Sequence, residues 1–100
     1  MNRADFESGA STLLARARAL RSQKGESYSG VDPDEDAFGN FRRISALTGM
    51  SPQEVALIYM LKHVDSITTI VRGGKDGGEG LSERIADALN YLLFLGTLDE

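Results

Sequence analysis

Apolar residues return every three or four positions along most of this chain, the period of a helix surface, and no segment shows the two-residue alternation of a half-buried strand. Phe6, Ala10, Leu13, Leu14, Ala17 and Leu20 gather on one face of a first helix, predicted from about Asp5 to Gln23 after a flexible start at residues 1–4. Gly25 follows as its expected C-terminal stop. A second, short helix is predicted from about Asp36 to Leu47, with Phe38, Phe41, Ile44 and Leu47 on one side and Thr48-Gly49 at its end. Ser51-Pro52-Gln53-Glu54 announces the third. Ser can cap the helix, Pro suits the first helical position, and Glu54 is placed to reach back to the amide of the cap. Every residue from Val55 to Leu61 is apolar, so this half is expected to be buried on all sides, as the central helix. It continues to about Arg72, where Gly73-Gly74 halts it; the β-branched run Ile67 to Val71 keeps the helical period. Residues 73–80, GGKDGGEG, read as a flexible connector. The fourth helix is predicted from about Ser82 to Leu95, with Leu81, Ile85, Leu89 and Leu92 toward the core.

The expectation is an all-α fold, a compact bundle of about four helices forming a single domain over residues 1–100. The apolar content of LIYML and LLFL exceeds what a lone bundle of this length needs to bury, so a dimer or higher homo-oligomer is expected. A net charge of −4 argues against DNA, RNA or membrane-surface binding, each of which favours a basic face. Cysteine is absent and His63 is the only histidine, which removes disulfides, thiolate chemistry and multi-histidine metal sites. No apolar run approaches the roughly 20 residues that span a bilayer. The N-terminus carries no apolar signal region, so a cytoplasmic location is expected.

Candidate chemistry lies in two groups of residues. The segment Lys24 to Arg43 gathers a Lys, a Tyr, a cluster of acids, an Asn-Phe pair and two Args, with residues 24–36 read as a turn-rich connection. On the third helix Lys62, Asp65, Thr69 and Arg72 share a face; on the fourth, Glu83, Asp87, Asn90 and Tyr91 share another. An Asp and an Asn within ADALNYLLFL are either solvated or buried with partners. Either the two stripes are outer faces of surface helices, or they face each other across a cleft. In the second arrangement Asp65, Glu83 and Asp87 would hold Mg²⁺, while Lys62 or Arg72 would hold phosphate. Other signals are blander. The loop around Lys75 does not fit a phosphate-binding loop, Asp32 to Asp36 read as an acidic turn rather than a calcium loop, and His63 reads as a helix-surface or core-edge residue.

Taken in order, Lys24 and Tyr28, then Asn40-Phe41-Arg42, then Lys62 with Asp65, then Asp87, Asn90 and Tyr91 in DALNYL resemble the small phage proteins called nucleotide modification associated domains. These are distantly similar to the all-α, MazG-like nucleoside triphosphate pyrophosphohydrolases. The resemblance runs from about Leu14 to Phe94 and implies a helical fold, oligomerisation and a role near nucleotide metabolism in an infected bacterial cell. MazG-like enzymes bind Mg²⁺ through EExxE on one helix and ExxD on the next. Here Asp87 matches the second Asp, but Arg84 stands where the Glu belongs, with Glu83 displaced by one, and the first motif is missing. One residue of displacement turns a side chain by about 100° around the helix.

The functional expectation is a nucleotide-binding protein, either a Mg²⁺-dependent pyrophosphohydrolase or a non-catalytic protein that sequesters a nucleotide or another phosphate-bearing small molecule. Lys24, Arg42, Lys62 and Arg72 would neutralise phosphate, and Tyr28 or Phe41 would stack on the base, with Asn40, Asn90 and Tyr91 completing the pocket. In one reading KGESYSG folds over the third and fourth helices as a lid; in the other, Tyr28 packs at the core edge and Lys24 ends the first helix. The competing class is a helical protein-interaction module without a small-molecule site, for which the acidic turn and the apolar third helix speak.

Overall fold

The computed structural model describes residues 1–29, 38–75 and 80–98, with side chains throughout except at residues 23–29. Four helices make up the fold: α1 (Arg3–Ser29), α2 (Gly39–Thr48), α3 (Pro52–Val71) and α4 (Leu81–Thr97), and the described residues contain no strand.

Several boundaries follow from local chemistry. Ser51 accepts from the Glu54 amide at 3.1 Å and the Ser51 amide donates to the Glu54 carboxylate at 3.1 Å, closing the expected capping box at the start of α3. Gly49 ends α2 with φ 78°, donating to the Ser45 carbonyl at 2.9 Å. Gly73 turns the chain after α3 with φ 91°. Both are left-handed turns that a residue with a Cβ adopts at a cost.

Helix α1 departs from expectation at both ends. It starts at Arg3 rather than after a flexible tetrapeptide, because Asn2 accepts from the Asp5 amide at 2.8 Å while Asp5 accepts from the Asn2 amide at 3.3 Å. This is the capping-box logic written with Asn and Asp. It also passes through Gly25 to Ser29, so residues 24–29, expected in the turn-rich connection, are helical. A glycine inside a helix costs only about 1 kcal/mol relative to Ala, and stops the helix only where it takes up a left-handed turn. Residues 30–37, which include the acidic turn, lie outside the described residues, as does most of the connector after Lys75.

The core is small. Ala17, Ala56 and Ala86 are buried where helices approach closely, and Phe41 and Val55 complete the set of buried apolar residues. Phe41 sits at the centre of an aromatic cluster, with ring centroids 6.1 Å from Tyr59, 6.1 Å from Tyr91 and 5.3 Å from Phe94. The edge-to-face angles suit the ring quadrupoles. Phe38 adds a fifth ring, 5.6 Å from Phe94. Helix α4 packs against both α3 and α1, and α2 covers one end of α3. Tyr59 lies beside Tyr91 and His63 beside Asp87, so α3 and α4 run antiparallel. Arg16 meets Glu83 and Arg21 meets Asn90, so α1 and α4 run parallel.

Two expectations about burial are overturned. The apolar half of α3 is not enclosed: Val55 and Ala56 are buried, but Leu57, Ile58 and Leu61 are exposed. Helix α4 does not turn Leu81, Ile85, Leu89 and Leu92 to the core, which it meets instead through Tyr91, Phe94 and Leu95. Leu81 and Leu92 are exposed and Ile85 and Leu89 only half-buried, whereas the buried positions are Ala86, Asp87 and Asn90. Helix α4 meets α1 on one side and α3 and α2 on another, and an apolar face wider than those contacts remains outside.

Candidate functional site

The polar stripe of α4 is an inner face. Asn90, only 5% exposed, accepts from the Arg21 guanidinium at 2.7 Å and donates through Nδ2 to the Ala17 carbonyl at 3.0 Å. It therefore ties α4 to α1 at two points. Glu83, about two turns earlier, pairs with Arg16 on α1. These partners account for both residues structurally: the Asn is buried because α1 satisfies it, and the Glu is turned toward α1.

Asp87 and Tyr91 look the other way, toward α3. The Asp87 carboxylate, 8% exposed as a residue, stands 4.0 Å from the Nδ1 atom of His63. The His63 ring lies over Tyr91, with centroids 5.3 Å apart and planes inclined by 30°. Around this pair a cavity of about 510 Å³ opens between the helices. Its lining from α3 is Tyr59, Lys62, His63, Asp65 and Ser66, and from α4 Arg84 and Tyr91. Helical geometry explains the set: Tyr59, Lys62, His63 and Ser66 recur at spacings of three and four, and Arg84 and Tyr91 stand two turns apart. The cavity is thus bordered by two cations, two phenol rings, the His63 imidazole, the Ser66 hydroxyl and an exposed carboxylate.

Of the residues singled out from the sequence, Lys62, Asp65 and Tyr91 come together here. Phe41, expected to stack on a ligand, is buried in the aromatic cluster instead. Asn40 is exposed and accepts from Arg43 on the next turn. Arg42 is half-buried on α2, and Arg72 is exposed at the C-terminus of α3. Neither they nor Asn90 line the cavity. The side chains of Lys24 and Tyr28 lie outside the described residues, and with them the lid. The three carboxylates expected to hold Mg²⁺ point three ways: Glu83 to α1, Asp87 to His63, and Asp65 to the cavity rim. Among the described residues no group of three acids or histidines is placed to share a metal ion.

Sequence reasoning passed over Tyr59, Ser66, His63 and Arg84 as ligand-facing residues. A signal existed for three of them, since Tyr59, His63 and Ser66 fall on the same face as Lys62. Arg84 was legible only as an intruder at a carboxylate position. No protein-family model, curated protein or solved structure matches this chain, so the site rests on its own geometry.

Proposed function

We infer that the cavity between α3 and α4 binds a phosphate-bearing small molecule with a flat ring, a nucleotide being the class that fits. One observation carries this reading: Lys62 and Arg84 border the same 510 Å³ space as Tyr59 and Tyr91. Two cations suit phosphate oxygens, with Arg84 offering the forked donor geometry that phosphate accepts best. The phenol rings offer apolar surface to a base, and the volume falls in the range typical of small-molecule sites. This is also the ligand class that the resemblance to the nucleotide modification associated domains implies. The reading is one of binding. Among the described residues Asp65, Glu83 and Asp87 are not grouped to share a metal ion, and the proposal is of binding alone.

Thermal melting with a panel of nucleoside mono-, di- and triphosphates, with inorganic phosphate and pyrophosphate alongside, tests the reading. A ligand at a hundred times its dissociation constant adds about 2.7 kcal/mol of stability, which raises the melting temperature visibly. Lys62→Ala, at an exposed position, is expected to keep the fold and weaken a responding nucleotide by roughly ten- to a hundredfold, the loss of one charge-assisted hydrogen bond of about 1.5–3 kcal/mol. A response to pyrophosphate equal to that of every nucleotide would remove the base from the reading. No response to any of them would end it.

A further inference from the structure

We propose that the cavity between α3 and α4 takes a nucleoside monophosphate in preference to the triphosphate, and that the Asp65 carboxylate discriminates between them. The proposal rests on the nucleotide reading above and names the ligand within it. The register of the two helices gives the site a direction. Tyr59 lies beside Tyr91, with ring centroids 6.2 Å apart, and His63 lies beside Asp87, so each step along α3 is matched by one back along α4. On that register Ser66 stands level with Arg84, and both line the cavity. The tyrosines therefore mark one end and Arg84 the other, seven residues or about 10 Å apart along the helix axis. Lys62 stands between them. A base over the rings and a phosphate at Lys62 and Arg84 leave the sugar to bridge the middle.

Charge then limits how much phosphate this end accepts. Among the described residues, Lys62 and Arg84 bring two positive charges to the cavity, while Asp65 in its lining and Asp87 against His63 bring two negative ones. Glu83 is turned away, paired with Arg16. One phosphate, with roughly two negative charges at neutral pH, matches the two cations. A second and a third phosphate add negative charge, toward which the described lining offers only His63, and that only when protonated. They also have to pass Asp65. The polar face of α3 runs Lys62, Asp65, Thr69, Arg72, so a phosphate chain leaving Lys62 toward Arg72 meets the carboxylate one turn on. The Thr69 hydroxyl beyond it donates to the Asp65 carbonyl at 3.1 Å, so its proton is already engaged. Like charges set side by side in a binding site act against the wrong ligand rather than for the right one, which is how a site selects.

Calorimetric titration of the full chain with the mono-, di- and triphosphates of each base, without and with Mg²⁺, tests the proposal. For a base that binds, the monophosphate is expected to bind at least about tenfold more tightly than the triphosphate. Asp65→Asn keeps the shape of an exposed side chain, so helical circular dichroism is retained. It is expected to narrow the preference by about tenfold, by tightening the triphosphate. The preference of the unaltered chain is also expected to shrink as salt is raised, a check that needs no variant. A triphosphate that binds as tightly as the monophosphate overturns the proposal and leaves the nucleotide reading standing, whereas no binding by any nucleotide overturns both. A preference that neither Asp65→Asn nor salt alters removes Asp65 from the selection and overturns the proposal. A triphosphate that Mg²⁺ tightens past the monophosphate, and that Asp65→Asn weakens again, assigns Asp65 to the metal and also overturns it.

Discussion

Helix α4 is held on its two sides by different physics. Toward α1 it presents Glu83 and Asn90, and the contact is made of an ion pair, a charge-assisted hydrogen bond and a bond to a backbone carbonyl around two buried alanines. Toward α2 and α3 it presents Tyr91 and Phe94, which join Phe38, Phe41 and Tyr59 in a cluster of rings. The α1 side lets helices approach closely and fixes their register, since Asn90 finds both partners only at one relative position. The aromatic side supplies area with little demand on register, because rings tolerate a range of tilts. Stability is therefore expected to reside in the aromatic end, and the placement of α1 in the polar seam.

Breaking the aromatic end should have the larger effect. Phe41→Ala removes the ring at the centre of the cluster and is expected to cost about 3–5 kcal/mol. At roughly 4–8 °C per kcal/mol for a domain of this length, calorimetry should find the melting temperature lowered by more than ten degrees or the cooperative transition gone. Asn90→Ala cuts the seam instead. It leaves the Ala17 carbonyl and the Arg21 guanidinium without their partner, at an expected cost of about 2–3 kcal/mol. Amide exchange should then quicken along α1 while the amides of α3 remain protected; uniform loss of protection would mean that the two sides are one cooperative unit. Arg16→Ala, on a half-exposed ion pair, is expected to change stability by no more than about 1 kcal/mol, and less at high salt. A larger effect would show that the ion pair, rather than Asn90, sets the seam.

The ends of helices were legible in the sequence wherever the signal was local. The capping box at Ser51 and Glu54 and the left-handed glycine at Gly49 stand where the residue types put them. Gly25 carried the same letter as Gly49 and misled, because a glycine stops a helix only if the following chain takes another path. The Asn2–Asp5 box was missed because Asp replaces the usual Glu. The candidate site was legible by halves. The spacing of Lys62 with Asp65 marked a polar face on α3, and Tyr91 marked one on α4. The share of the cavity taken by Tyr59 and Arg84, and the diversion of Glu83 and Asn90 to α1, depend on partners that no window of neighbouring residues contains.

What the sequence determined by itself is that this chain is helical, where α3 begins, and which residues share a helix face, since all three follow from bonds and spacings within about four residues. What only the tertiary structure decided is which face turns inward. On α4 the leucines suggested one side and the packing chose the other, burying Asp87 and Asn90. Periodicity states that a face is apolar, and the hydrophobic effect then favours any cover for it, a neighbouring helix or another molecule alike. A buried amide is more exacting. Asn90 had to find Arg21 and the Ala17 carbonyl, 69 and 73 residues away along the chain, and directional bonds of that kind fix which side of a helix meets which neighbour.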